Sequence, residues 1–68
     1  MISYAPLWET MRRKGVTTYA LRKKHQLGGG TLQRLKENDT VSTHTLDLLC
    51  EILDCPLWEI AEYRPNDS

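Results

Sequence analysis

Leu46, Leu49, Cys50 and Leu53 fall at i, i+3, i+4 and i+7, which places one apolar stripe along an α-helix. The same helical period runs through almost the whole chain, and no alternating apolar–polar run marks a strand. At 68 residues the chain makes a single domain, near the lower limit at which a core holds without staples. These constraints predict an all-α fold of five short helices.

The first helix is expected from about Ser3 or Ala5 to Lys14. Pro6 suits its first turn, Leu7, Trp8 and Met11 form its apolar face, and Gly15 ends it. The second starts after Thr17, a good N-cap, and runs to about Lys24 with Tyr19, Ala20 and Leu21 inward. The third begins in Gly28–Gly30 and continues through Leu32 and Leu35 to about Glu37. The fourth follows Ser42, another N-cap, and the fifth starts near Pro56 and uses Leu57, Ile60 and Ala61. Residues 1–64 are read as the domain and 65–68 as a flexible tail.

No apolar run approaches the roughly 20 residues that cross a bilayer, and Met1–Tyr4 lacks the charged start and apolar stretch of a signal peptide. A cytoplasmic protein with no membrane partner is expected. Cys50 and Cys55 lie far in sequence from His25 and His44, so they lack the second tight ligand pair of a structural zinc site. Cys50 reads as a buried, reduced thiol, and neither a metal nor a disulfide is expected. No Ser/His/Asp or paired-carboxylate constellation appears, and so short a chain leaves little room for an enzyme pocket. No cofactor, catalytic residue or small-molecule substrate is therefore expected.

Nine Lys and Arg balance nine Asp and Glu, and a neutral sum argues against a nucleic-acid partner. The distribution reverses that argument. Residues 1–37 carry eight bases and two acids, net +6, and residues 38–68 carry one base and seven acids, net −6. Such asymmetry suggests that one half faces a polyanion. A surface whose solvated charges happen to segregate would look the same. At a Debye length of about 8 Å, a DNA surface senses mainly the half beside it.

The second and third helices are separated by about four residues, His25–Gly28. Leu21, Leu27, Leu32 and Leu35 are spaced to pack two helices across a tight turn, the helix-turn-helix layout over about 17–37. In that layout the second helix projects its first residues outward, where a major groove can receive them. An ordinary helical hairpin in a small bundle shares this spacing.

The run Thr17-Thr18-Tyr19-Ala20-Leu21-Arg22-Lys23-Lys24, followed by Leu27-Gly28-Gly29-Gly30-Thr31-Leu32-Gln33-Arg34-Leu35, resembles the Xre family, the Cro and lambda-repressor type of helix-turn-helix. The likeness extends forward to Tyr4–Trp8. It continues through Val41-Ser42, Leu46 and Leu49–Cys55 to Glu59-Ile60. The resemblance is to the compact single-domain branch and covers nearly the whole chain. It implies a lambda-repressor-like DNA-binding domain in a bacterial, phage or mobile-element regulator, with a repressor as the expected role. The third helix would be the recognition helix.

Carried over by position, the resemblance implies phosphate contact near Thr17 and Thr18, with Thr18 standing where relatives often have Gln. Arg22 stands where Ala is usual; either its stem snorkels along the surface or the hairpin opens slightly. Gln26 stands where Gly is usual, so it must take a left-handed backbone or the turn differs. Gly28, Gly29 and Gly30 match the N-cap and first helical positions, whose side chains in relatives reach base edges. Three readings of them compete: a helix start that orders on DNA, close backbone approach to a phosphate, and a reader with little sequence preference.

Base readout then falls to Arg34, with Thr31 and Gln33 beside it. Arg12, Arg13, Lys14, Lys23, Lys24 and Lys36 are expected on phosphates, as are Asn38 and Thr40 in the following loop. Trp8 and Trp58 read as core or as partly buried interface. Relatives commonly pair through their last helix, which implies a homodimer through Leu57, Trp58, Ile60 and Tyr63. The leading reading is a sequence-specific regulator of double-stranded DNA. The alternative is an interaction module, such as an antitoxin-like subunit, that kept the fold with weak base readout.

Overall fold

The computed structural model describes residues 1–65. It contains β1 (Ile2–Ser3), α1 (Ala5–Lys14), α2 (Thr18–Lys23), α3 (Gly29–Lys36), α4 (Thr43–Leu53), a 3₁₀ turn (Leu57–Glu59) and β2 (Glu62–Tyr63). The first four expected helices are present, and the expected fifth is that single 3₁₀ turn. Of the expected tail, Pro65 is described and the remainder lies outside the described residues.

A two-stranded antiparallel ribbon, with Ile2 opposite Tyr63 and Ser3 opposite Glu62, joins the two ends of the domain. The Arg64 N–H extends it by donating to the Met1 carbonyl at 2.8 Å. Two residues per strand are too few to show an alternating pattern. Their pairing also joins segments some sixty residues apart, so local sequence carries no sign of it.

Local chemistry sets each helix boundary. Thr17 Oγ1 accepts the Ala20 N–H at 3.1 Å, and Ser42 Oγ accepts the Thr45 N–H at 3.2 Å. These two side-chain caps satisfy N–H groups that the first helical turn leaves open. Three helices end in one way: α1, α3 and α4 close on left-handed residues, Gly15 (φ +70), Asn38 (φ +57) and Asp54 (φ +50). In each, the next N–H reaches back five residues: Val16 to Met11, Asp39 to Arg34 and Cys55 to Cys50. This is the Schellman end.

Leu7, Leu21, Leu35, Leu49, Leu53 and Ile60 are fully buried at the centre of the core, each contributing about 1.5–3 kcal/mol over an exposed position. Leu27 and Leu32 close the α2–α3 side as expected. Tyr19, expected inward, is exposed instead, and Trp58 is 76% exposed. Cys50 is half-buried, not buried, and packs on the edge of the core. Buried Thr10 donates its hydroxyl to the Glu59 carbonyl at 2.7 Å, tying α1 to the 3₁₀ turn.

Gln26 takes the left-handed backbone (φ +56) in the turn between α2 and α3, so the glycine-like geometry is kept without glycine. An L-residue there costs about 1–2 kcal/mol, against about 0.4–1 kcal/mol for the extra unfolded-state freedom of glycine. Gln26→Gly is therefore expected to raise stability by about 0.5–1 kcal/mol, read as a higher midpoint in thermal melts. A lower midpoint would mean that the Gln26 side chain contributes more than its backbone costs.

Candidate nucleic-acid interface

Leu32 and Leu35 turn one side of α3 into the core. The opposite side presents Gly29, Gly30, Gln33, Arg34 and Lys36, all exposed. This division follows from the helical period: residues three and four apart share a face. Shallow grooves flank the exposed side. Thr18, Arg22, Gly29, Gln33 and Lys36 line the one towards α2, about 130 Å³ in volume. Thr31, Arg34, Thr40, Ser42 and Thr45 line the other, about 410 Å³, at the start of α4.

The chemistry of this face suits a phosphodiester backbone with base edges between. Residues 17–37 hold five bases and one acid, net +4. Among the described residues, Arg22, Lys23, Arg34 and Lys36 are in no ion pair. Hydroxyls from Thr18, Thr31, Thr40, Ser42 and Thr45 line the two grooves. Ser42 and Thr45 bond to each other at 3.1 Å, so Thr18, Thr31, Thr40 and one of that pair can donate to a phosphate oxygen. Arg34 stands in the groove against the start of α4, whose N-terminal dipole favours an anion.

The loop after α3 is held from the far end of the chain. Asn38 Oδ1 accepts the Tyr4 N–H at 2.9 Å, and the Tyr4 hydroxyl donates to the Asp39 carbonyl at 2.8 Å. Burial, then the Asp39 carboxylate, pushes the Tyr4 phenol above its ordinary value, which keeps that hydroxyl a donor. Asn38 thus serves the helix end and the N-terminus.

Thr18, Gly28–Gly30, Thr31, Gln33, Arg34, Lys36 and Thr40 share the α3 side of the molecule. Thr17 stands at its edge, where its Oγ1 accepts the Ala20 N–H as the cap of α2. Lys23 and Lys24 are exposed at the end of α2. Arg12, Arg13 and Lys14 are not brought here. Arg12 pairs with Glu9 and Arg13 with Glu59, both at 2.9 Å, and Lys14 Nζ donates to the Asp54 carbonyl at 3.3 Å. Asp54 caps the end of α4 away from Ser42, across 11 residues or about 16 Å of helix. Part of the +6 of the first half is thus set against the acidic half within one chain.

Sequence reasoning left Arg22, Ser42 and Thr45 out of the site. Arg22 stays exposed and lines the α2–α3 groove, and the hairpin closes around Leu21 and Leu32 regardless. The hydroxyl run Thr40-Val41-Ser42-Thr43 was the available signal for the other groove. Ile60 leaves the expected dimer patch, because it is fully buried. Leu57, Trp58 and Tyr63 are exposed by 53%, 76% and 70%.

A model of the Cro/C1-type helix-turn-helix DNA-binding domain matches residues 6–66. The chain belongs to that family. The crystal structure of the transcriptional regulator VanUg superposes on this Cro/C1-type domain with a TM-score of 0.86. The two are 29% identical, over 96% of this chain and 87% of the other. No curated protein sequence matches it. In this Cro/C1-type domain, α2 and α3 form the helix-turn-helix. Among the described residues, no group of three or more His, Cys, Asp or Glu is placed to hold a metal, and no helix is long and apolar enough to cross a membrane.

The glycines at the start of α3 are not required by the protein itself. None of Gly28, Gly29 and Gly30 has a positive φ, and a Cβ at each would meet nothing within 4 Å. Gly29→Ala and Gly30→Ala are each expected to stabilise the fold by up to about 1 kcal/mol, seen as a higher melting temperature. Unchanged or lower melting would show that the backbone of α3 needs glycine there.

Proposed function

We propose that this Cro/C1-type domain is a sequence-specific transcriptional regulator, of bacterial, phage or mobile-element type, that represses by occupying double-stranded DNA as a homodimer. The observation that carries the reading is the exposed face of α3, with unpaired Arg34 in a hydroxyl-lined groove and Arg22 and Lys36 on the groove at its other side. The name of the similar VanUg structure, a transcriptional regulator, supports it. Arg34 reads a base, with guanine as its best partner through a bidentate contact. Gln33 and Thr31 flank that base contact. Thr18, Arg22, Lys23, Lys36, Thr40 and Ser42 hold phosphates and fix the register of α3 in the groove.

The glycine triplet lets the duplex backbone approach the first turn of α3 without meeting side chains. Leu57, Trp58 and Tyr63 supply an apolar surface for the second subunit. Two-fold symmetry then predicts half-sites about 34–36 Å apart. The role is binding without catalysis, in the cytoplasm, with no small molecule required.

Titrating the protein against labelled duplex at rising salt tests this reading. Affinity is expected to fall linearly on a log–log plot, with a slope set by the number of phosphates neutralised. A protein that shows no salt-dependent DNA affinity but retains a stable protein partner belongs to the interaction-module reading instead. The exposed Leu57–Trp58 surface is the observation that favours that second reading.

A further inference from the structure

Cys50 and Cys55 stand on either side of a helix end, and their spacing gives no reason to expect a bond between them. The fold brings them together. Asp54, at φ +50, turns the chain back over α4. The Cys55 N–H then donates to the Cys50 carbonyl at 3.1 Å, and the Asp54 N–H to the Glu51 carbonyl at 3.4 Å. These are the two hydrogen bonds of the Schellman end, in which the residues at the places of Cys50 and Cys55 meet side by side. Met11 and Val16 occupy the same two places at the end of α1, and both pack on the core. At the end of α4 the two side chains at these places are thiols, and both pack on the edge of the core. Both are free and half-buried, so small reagents reach them.

We propose that Cys50 and Cys55 form a redox-closable dithiol, a modification site whose reactant is a low-molecular-weight disulfide. One cysteine loses its proton and attacks a sulfur of the small disulfide, releasing one small thiol and leaving a mixed disulfide on the protein. The second cysteine, also deprotonated, attacks the protein sulfur of that mixed disulfide and releases the second small thiol. Two protein thiols are oxidised to one disulfide, and one small disulfide is reduced to two thiols. The closed bond ties the end of α4 to the segment entering the 3₁₀ turn, where Cys50 and Leu57 line one groove. Lys14, on the Asp54 carbonyl, and the Arg13–Glu59 pair brace the same joint from α1.

The groups around the pair set its pH dependence. Burial, then Asp47, pushes Cys50 above the ordinary thiol value. Burial, Cys50 and Glu59 push Cys55 the same way, against Lys14 and Arg13. Because the thiolate is the attacking species, closure is slow at neutral pH and quickens as pH rises towards those values.

The test incubates the folded protein with oxidised glutathione at mildly alkaline pH, then traps remaining thiols and measures mass. Loss of both free thiols is expected, in a single chain lighter by two hydrogens, with unchanged helical circular dichroism. A stable glutathione adduct, cross-linked chains or lost helicity would overturn the proposal. C55S is expected to stop at a mixed disulfide on Cys50, and an unmodified variant would contradict the accessible thiol. The unsubstituted chain in urea supplies a control that needs no folded variant. There closure must require a higher ratio of oxidised to reduced glutathione than in the folded protein; an equal ratio would show that the fold does not pair the cysteines.

Discussion

Leu35→Ala is expected to remove about half of the protein's stability. Leu35 lies on the inner face of α3 with no exposed surface, and truncating such a leucine costs about 2–5 kcal/mol. A chain of 68 residues has about 3–10 kcal/mol of stability in all. The expected drop in melting temperature is on the order of 10–30 °C. The loss should be large because the chain is small: the core offers few neighbours able to relax into the vacated volume. Gln33→Ala, two residues away on the outer face, is expected within about 0.5 kcal/mol of the parent. Far-UV circular dichroism during heating separates the two, and equal melting curves would contradict the assigned orientation of α3.

Arg34→Ala is expected to cost about 1–3 kcal/mol of discrimination against the wrong base, roughly 5- to 150-fold at a preferred site. The same change should leave binding to unrelated duplex weakened only by one lost charge. Lys36→Ala provides the contrast, because a phosphate contact carries no sequence information. Its expected effect is a uniform loss across sequences and a salt slope shallower by about one. If Arg34→Ala instead weakens all duplexes alike, Arg34 is another phosphate contact, and specificity lies elsewhere or in the shape of the DNA.

The helices carried their own evidence in sequence. Thr17 and Ser42 as caps, Gly15 as a terminator and the Leu46–Leu53 stripe are local signals, and each falls where the fold uses it. The resemblance carried by Thr17–Leu35 located α3, and the structure confirmed its inward leucines. Features that depend on distant partners were not legible. The terminal ribbon joins Ile2 to Tyr63. Arg13 and Lys14 of α1 look like free phosphate ligands until Glu59 and Asp54 arrive beside them.

Ile60 shows a related limit, since an apolar residue in a final helix can face either a partner or the core. Its burial was decided by α1 and α4, which no local window contains. Arg22 and the Ser42–Thr45 groove were missed for a similar reason. Their roles follow from where α2 and α4 lie against α3, not from residue type.

The central claim is that the outer face of α3 reads DNA. Selection of binding sites from a random duplex library, by the intact protein at moderate salt, tests it most directly. Enrichment of a two-fold symmetric motif with half-sites one helical turn apart is expected, with a guanine whose preference disappears in Arg34→Ala. A pool that stays random through repeated rounds, with the protein folded throughout, would contradict it.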